Sequence, residues 1–255
     1  MPSALVRRPS PRLADGLVTH IERKPVDVDL AVLQWQQYVD ALEAHGWTTV
    51  EVPPIDECPD GVFVEDTMVV YGDLAVIARS GAEERRPEAA EAERTVAAQG
   101  YRITHITEPG TLDGGDILKI GSVVYAGQGG RTNDEGIRQL REALAPVGAE
   151  VRAVPVQKVL HLKSGVTALP DGTVIGYEPL VDDPEAFESF RPMPEEAGSH
   201  VVLLGERRLL MAASAPESAK LLEHLGYTPV VVDISEFEKL EGCVTCLSVR
   251  LRQSR

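Results

Sequence analysis

The chain has 255 residues, 43% of them hydrophobic, enough for a packed core at the upper end of what one domain usually holds. Lys plus Arg number 25 against 40 Asp plus Glu, a net charge of −15. Such a surface repels phosphate backbones and anionic lipid and draws in small cations, so nucleic-acid and membrane partners are not expected.

The N-terminal Met1-Pro2-Ser3-Ala4-Leu5-Val6-Arg7-Arg8 has no apolar stretch long enough for a signal peptide, and no later run approaches a membrane span. Three cysteines are too few, and odd in number, for a disulfide framework, so the reading is a cytoplasmic protein with reduced thiols.

In chain order, Ala4 to Arg7 reads as a strand. Asp29 then offers a cap for a helix with Val32, Trp35, Val39 and Leu42 on one stripe. That helix stops at Gly46, and Thr48 to Val52 reads as the next strand. The apolar run Val62 to Tyr71 holds two adjacent acids, Glu65 and Asp66. A hairpin follows over Val69 to Ile77, turning at Gly72-Asp73. Gly81-Ala82-Glu83-Glu84-Arg85-Arg86 opens a second helix, which stops at Gly100 before a strand at Arg102 to Ile106.

The same order recurs. Asp113-Gly114-Gly115-Asp116 precedes a hairpin over Ile117 to Tyr125. Arg131-Thr132-Asn133 opens a helix with Ile137, Leu140 and Leu144 inside, Gly148 stops it, and Glu150 to Val156 is the strand. His161 precedes a hairpin over Val166 to Ile175, which leads only into a short, poor helix near Asp183 to Phe190. A last hairpin spans Val202 to Leu210. Pro216 then starts a helix with Leu221, Leu222 and Leu225, Gly226 stops it, and Thr228 to Val232 is the strand. Cys243 to Leu251 alternates like a strand.

Glycine just past a helix supplies the left-handed cap that ends it. Four such stops, each followed at once by a strand, mark a unit of strand, strand, helix, strand, and five units fit the chain. A repeat of this length implies a radial or stacked array, because one unit cannot bury its own face. An ordinary alternating α/β sheet would join single strands and helices instead of hairpins.

Cys246, His161 and Asp113 make up the minimum kit for covalent catalysis: a thiolate, a proton shuttle and a carboxylate that orients it. Alone, each also reads blandly, as a buried hydrophobe, a satisfied histidine and a tight turn. In a strand, Glu65 and Asp66 point to opposite faces, so one acid faces inward. A guanidinium ligand or an internal arginine would satisfy it. Arg85 and Arg131 stand at helix starts, where they oppose the dipole but are well placed to grip a carboxylate. Cys243-x-x-Cys246 with His161 also has zinc-like spacing. An extended strand would send those two thiols to opposite faces, an objection that meets a redox role for the pair as well. Cys58 reads as a plain loop cysteine.

Phe63-Val64-Glu65-Asp66, Gly81-Ala82-x-x-Arg85-Arg86, Leu112-Asp113-Gly114-Gly115-Asp116, Arg131-Thr132-Asn133, Leu160-His161-Leu162-Lys163-Ser164 and Thr245-Cys246-x-Ser248 stand in one order along nearly the whole chain. As a set they resemble the dimethylarginine dimethylaminohydrolases, the short branch of the guanidine-modifying superfamily that includes arginine deiminase. The resemblance implies an α/β fold: a five-bladed α/β propeller (pentein) of repeated ββαβ modules with pseudo-fivefold symmetry, formed by residues 1–255 as one catalytic domain with its site in the central channel. It implies Cys246 as nucleophile, His161 as general acid and base, and Asp113 as the carboxylate beside them. Asp60, Glu65 and Asp66 match acids that hold the cationic groups of the substrate, and Arg85 and Arg131 match the pair that takes its α-carboxylate. Leu17 and Leu240 match positions that contribute backbone carbonyls and lid contacts.

No metal or organic cofactor is implied. The expected partner is a small cationic amino acid, methylarginine or arginine, and a homodimer is left open. The expected reaction releases citrulline and methylamine or dimethylamine. A deiminase of arginine or agmatine on the same fold is the alternative, and a non-catalytic cationic amino-acid binding module is a further one. Two arginines favour an α-amino acid over agmatine, and the chain lacks room for the added helical region of a standard arginine deiminase. Two departures, Glu241 where many relatives have Asp and Cys243 where a small or apolar residue is frequent, fall beside the nucleophile.

Overall fold

A computed structural model describes residues 2–251. The strands form five separate sheets of three strands each. Met68–Tyr71 runs antiparallel to Leu74–Ile77, which runs parallel to Arg102–His105. The same pattern repeats in Ile117–Ile120, Val123–Gln128 and Glu150–Pro155. It repeats again in Val166–Ala168, Val174–Gly176 and Phe190–Pro192, and in Val202–Gly205, Arg208–Ala212 and Thr228–Val232. The first module is split across the chain. Ser3–Val6 pairs in parallel with Thr48–Glu51, and its antiparallel partner is Val249–Leu251 from the other end of the sequence.

Helices carry the crossovers. Val28–Ala44 is capped by Asp27, whose side chain accepts from the Leu30 N–H, so the helix starts earlier than a cap at Asp29 would place it. Asn133 caps Asp134–Leu144 in the same way through the Gly136 N–H. Gly46, Gly100, Gly148 and Gly226, with φ between 80° and 85°, end the four helices as their spacing predicts. The fourth module departs from the expected short helix. Two 3-10 turns, Glu178–Leu180 and Pro184–Ala186, lead to the parallel strand Phe190–Pro192.

There is no single core. Buried side chains fall into five clusters, each between two consecutive modules. Successive residues on a strand point to opposite faces. Thus Ala4 and Val6 pack toward Val202, Leu210 and Val232 of the fifth module, while Leu5 between them packs on Met68, Val70 and Ile77 of the second. The second module likewise turns Val69, Leu74 and Val76 to Ile117 and Val124 of the third. Two more clusters join the third module to the fourth and the fourth to the fifth. Five interfaces among five modules close a ring, the radial form of the expected array.

A turn precedes the first strand of each sheet: Val64–Thr67, Gly114–Asp116, Leu162–Gly165, Ala197–Ser199 and the turn at residues 244–247. Hydrogen bonds link them. Gly115 N donates to Asp66 Oδ1 at 2.9 Å, Leu162 N to Asp116 Oδ1 at 2.9 Å and Glu65 N to the Cys246 carbonyl at 3.2 Å. Two sequence expectations fail here. Residues 62–71 are not one strand, because Val64–Thr67 is a 3-10 turn, and residues 243–248 are not a strand at all. In both places a turn carries polar groups toward the ring's middle, where an extended chain would have needed a sheet partner.

Candidate active site

Four of these turns bring their polar side chains together. The imidazole of His161 is 2% exposed. Its Nε2 lies 3.0 Å from Asp113 Oδ2, and its Nδ1 lies 3.8 Å from Asp66 Oδ1. A side chain at position 115 would bring its Cβ within 2.7 Å of Nδ1, so the ring approaches over bare glycine backbone. At Gly114 a Cβ would come within 2.1 Å of the Glu65 carbonyl. Close approach is therefore the reason for the paired glycines. Burial acts to lower the His161 pKa, but the charge of Asp66, the hydrogen bond to Asp113 and the nearby Asp116 outweigh it and raise the value to about 9. The two acids thus hold an imidazolium at neutral pH.

Asp66 is itself well held. Its Oδ2 accepts from Arg85 at 2.7 Å and its Oδ1 from Gly115 N. Burial pushes its pKa up, but His161 and Arg85 bring it down to about 2. Arg85 is held on several sides. Its fork also binds Glu88 at 3.0 and 2.8 Å and the carbonyls of Asp60 and Phe63. Arg131 reaches Asp113 Oδ2 at 3.3 Å. Asp113 Oδ1 accepts from Gly81 N at 3.2 Å. The ligating atoms of Asp66, Asp113 and His161 all lie within 4.8 Å of one another, a spacing that suits a cation. Each acid already has the imidazolium and an arginine as its cations.

Asp116 carries no role in the sequence reading, yet it anchors the histidine. Its Oδ1 takes the Leu162 N–H, and its Oδ2 takes the Thr132 hydroxyl at 2.6 Å. Burial raises its pKa to about 6. The spacing of Asp113 and Asp116 in one motif is the signal that would have found it. Glu88, which fixes Arg85, has no such signal.

A cavity gathers Leu17, Asp60, Asp66, Arg85, Arg131, His161, Leu240 and Cys246, all expected from the sequence, with Phe63, Leu160, Glu241 and Gly242. Asp113 is hydrogen-bonded to His161 at its wall. Glu65 does not line this cavity. Its Oε1 meets Lys163 Nζ at 2.5 Å and the Arg250 guanidinium, so internal cations, not a ligand, hold that oxygen, while the buried Oε2 has no hydrogen-bond partner. The cavity is closed down to about 10 Å³. The segment from Gly16 to His20 forms a strap at its edge: Leu17 lines it and its N–H donates to Asp60 at 3.1 Å, and Glu241, also lining it, accepts from Thr19 N at 2.8 Å and His20 N at 2.6 Å.

Cys246 is 6% exposed and Cys243 4%. Because residues 243–246 turn, the two thiols do not point apart as expected. Their sulfurs lie 3.3 Å from each other. The hydrogen bond from Cys246 draws the Cys243 thiol down to about 5, and that same bond, with burial, holds the Cys246 proton well above the usual thiol value. The hydrogen bond thus favours the thiolate on Cys243 over Cys246.

A family model described as arginine deiminase matches residues 16–250. The N(G),N(G)-dimethylarginine dimethylaminohydrolase of Streptomyces coelicolor is 66% identical over 255 residues, 99% of each chain. A solved cysteine-to-serine variant of the Pseudomonas aeruginosa dimethylarginine dimethylaminohydrolase, complexed with citrulline, superposes with a TM-score of 0.91 at 34% identity and covers 98% of each chain. A histidine-to-glycine variant of a dimethylarginine dimethylaminohydrolase, solved as its adduct with S-methyl-L-thiocitrulline, gives 0.91 at 32% identity, covering 98% of this chain and 99% of the other.

Proposed function

This chain belongs to the arginine deiminase family, and we propose that it hydrolyses the guanidinium C–N bond of Nω-methylated arginines to citrulline and methylamine or dimethylamine. One observation carries the reading: Cys246, His161 and Asp66 line one cavity, with Asp113 hydrogen-bonded to His161.

A guanidinium carbon is a poor electrophile because its charge is delocalised. Asp66 and Asp113 hold the cation in a near-attack pose. Arg131 turns from Asp113 to the α-carboxylate, and the carboxylate oxygen it releases takes a guanidinium N–H. Arg85, bound to both Asp66 and Glu88, acts by fixing Asp66. Asp60 and the Leu17 and Leu240 backbones meet the amino-acid end. A substrate of this size enters only when the strap lifts.

The incoming cation favours the thiolate on Cys246. Its thiolate adds to the guanidinium carbon. His161 gives its proton to the departing amine nitrogen, and the C–N bond breaks, leaving a thiouronium on Cys246. The imidazole, now neutral, takes a proton from water. The oxygen adds to the carbon, the C–S bond breaks, the second water proton passes to the released amine, and the ureido product leaves with the thiolate restored.

The test is ureido product from asymmetric dimethylarginine, arginine and agmatine, each supplied alone, with Cys246→Ser as control. Product from the dimethylated substrate, lost in the variant, is expected. Turnover of arginine in its place would make the chain a deiminase. Binding without turnover of any of the three would leave a cationic amino-acid binding module.

A further inference from the structure

We propose that Cys243 and Cys246 are a site of reversible oxidation: a hydroperoxide converts the pair to a disulfide that masks Cys246 and protects it from irreversible oxidation. The proposal rests on the reading of Cys246 as nucleophile only for its effect on turnover.

The geometry is that of a closing turn. Cys246 N donates to the Cys243 carbonyl at 3.1 Å. A turn closed in this way keeps its end Cα atoms within about 7 Å, which overlaps the range of roughly 4.4–6.8 Å that disulfides span. The sulfurs, at 3.3 Å, need to approach by only about 1.2 Å to reach a bond length of about 2.05 Å. No sheet hydrogen bond holds residues 243–247 back, because the strand begins only at Val249.

Each thiol faces a different space. Cys246 lines the substrate cavity. Cys243 lines a separate cavity of about 690 Å³, beside His200 and Ser164. A peroxide therefore reaches Cys243 without crossing the substrate site. The Cys243 sulfur also lies 3.3 Å from the Thr245 hydroxyl, a donor for a thiolate. Its pKa of about 5 makes the reactive form abundant at neutral pH. Cys58 lacks these features. Among the described residues its sulfur meets the Glu84 carbonyl, at 3.9 Å, and burial raises its pKa.

The chemistry balances. The Cys243 thiolate attacks hydrogen peroxide; an S–O bond forms, the O–O bond breaks, and the released hydroxide takes a proton to become water. Cys246 then attacks the sulfenic sulfur; the S–S bond forms, the S–O bond breaks, and a second water leaves with the Cys246 proton. Both thiols are oxidised, and the peroxide takes both electrons. A dithiol reverses the step through a mixed disulfide. Without the neighbouring thiol, a sulfenic acid on Cys246 would proceed to the sulfinic stage, which thiols do not reduce.

The experiment treats the reduced full-length protein with hydrogen peroxide, blocks free thiols with iodoacetamide under denaturing conditions, and maps peptides by mass. Cleavage after Lys239 and Arg250 yields one peptide with both cysteines. That peptide should lose the mass of two hydrogens and escape alkylation, while Cys58 stays alkylatable. Dithiothreitol should restore both thiols and the starting activity. In Cys243→Ser, and in Cys243→Ala, peroxide should add oxygen to Cys246, and dithiothreitol should not restore the activity lost.

Oxygen addition in place of the disulfide in the native chain would overturn the proposal, as would full recovery of both variants. Those results would leave the proposed hydrolase untouched. A reversible disulfide with unchanged turnover would keep the oxidation site and remove Cys246 as nucleophile.

Discussion

Glu65 and Asp66 are neighbours in the chain and belong to two different regions. Asp66 faces the substrate cavity with His161 and Cys246. Glu65 faces the other end of the ring, where Lys163, Thr245 and Arg250 line a cavity of about 450 Å³. In three modules the same turn sends one side chain each way: Asp66 and Glu65, His161 and Lys163, Cys246 and Thr245. The difference lies in how the charges are used. On the substrate side they are arranged around groups that must change partner or protonation. On the far side, Glu65 closes on Lys163 and Arg250, whose guanidinium also binds the carbonyls of Thr245 and Ser248. One side is the proposed site of chemistry, and the other ties three modules together.

Substitutions should divide along that line. On the substrate side, Cys246→Ala should lower kcat by about 10⁴-fold or more with little change in melting temperature. Full turnover would end the nucleophile assignment. His161→Gln should cost about 10²–10⁴-fold and stall the reaction at or before the covalent adduct. Steady-state turnover at the native rate would remove its acid and base role. On the far side, Lys163→Met should do the opposite. Glu65 keeps Arg250, so what is lost is one charged hydrogen bond of about 1.5–3 kcal/mol, or a fall in melting temperature of roughly 5 °C for a chain of this length. The folded fraction should keep a kcat within a few-fold of native. A large kcat loss with an unchanged melting temperature would mean that the two sides are not separate.

Proton linkage sharpens the contrast. The His161 pKa, about 9 folded against 6.5 unfolded, contributes stability that is complete below pH 6.5 and disappears as pH rises through 9. Asp66, at about 2 against 3.8, contributes stability above pH 3.8 that is lost as pH falls through 2. Asp116, raised to about 6 by burial, works the other way, and its contribution fades between pH 3.8 and 6. The melting temperature of His161→Gln should therefore fall below that of the native chain near pH 6 and approach it by about pH 10. A constant gap across that range would contradict the imidazolium held by Asp66 and Asp113.

Much of this division was hidden in the sequence. The four glycine stops and the hairpins after them revealed the module, and six motifs marked the residues that meet in the cavity. What stayed hidden were the turns. Val62 to Tyr71 and Cys243 to Leu251 alternate as strands do, so a strand rule put Cys243 and Cys246 on opposite faces and left the partner of Glu65 open. A short turn reads like a strand because three or four residues are too few to express a helical period. The pairing of Val249–Leu251 with Ser3–Val6 was equally invisible, since it joins the two ends of the chain and has no local signature.

The smallest expected effect concerns the strap, the one part of the substrate side that the ring does not build. Glu241 holds it from a left-handed backbone, φ 59°, a conformation that costs a non-glycine residue on the order of 1 kcal/mol. That cost is borne because the carboxylate, nearly buried, accepts two strap N–H groups and the Thr19 hydroxyl. Glu241→Gln keeps an acceptor oxygen but turns the other into a donor that faces the His20 N–H. One bond of about 1 kcal/mol is lost, and the strap opens more often. KM should rise roughly five-fold while kcat holds, because the strap governs entry and not the thiolate or the imidazolium. Glu241→Gly would release the backbone strain as well as the clasp, so its melting temperature should be no lower than that of Glu241→Gln although its KM is higher. If instead kcat fell with KM unchanged, Glu241 would act on Cys246 through the backbone they share, and the strap would belong to the chemistry after all.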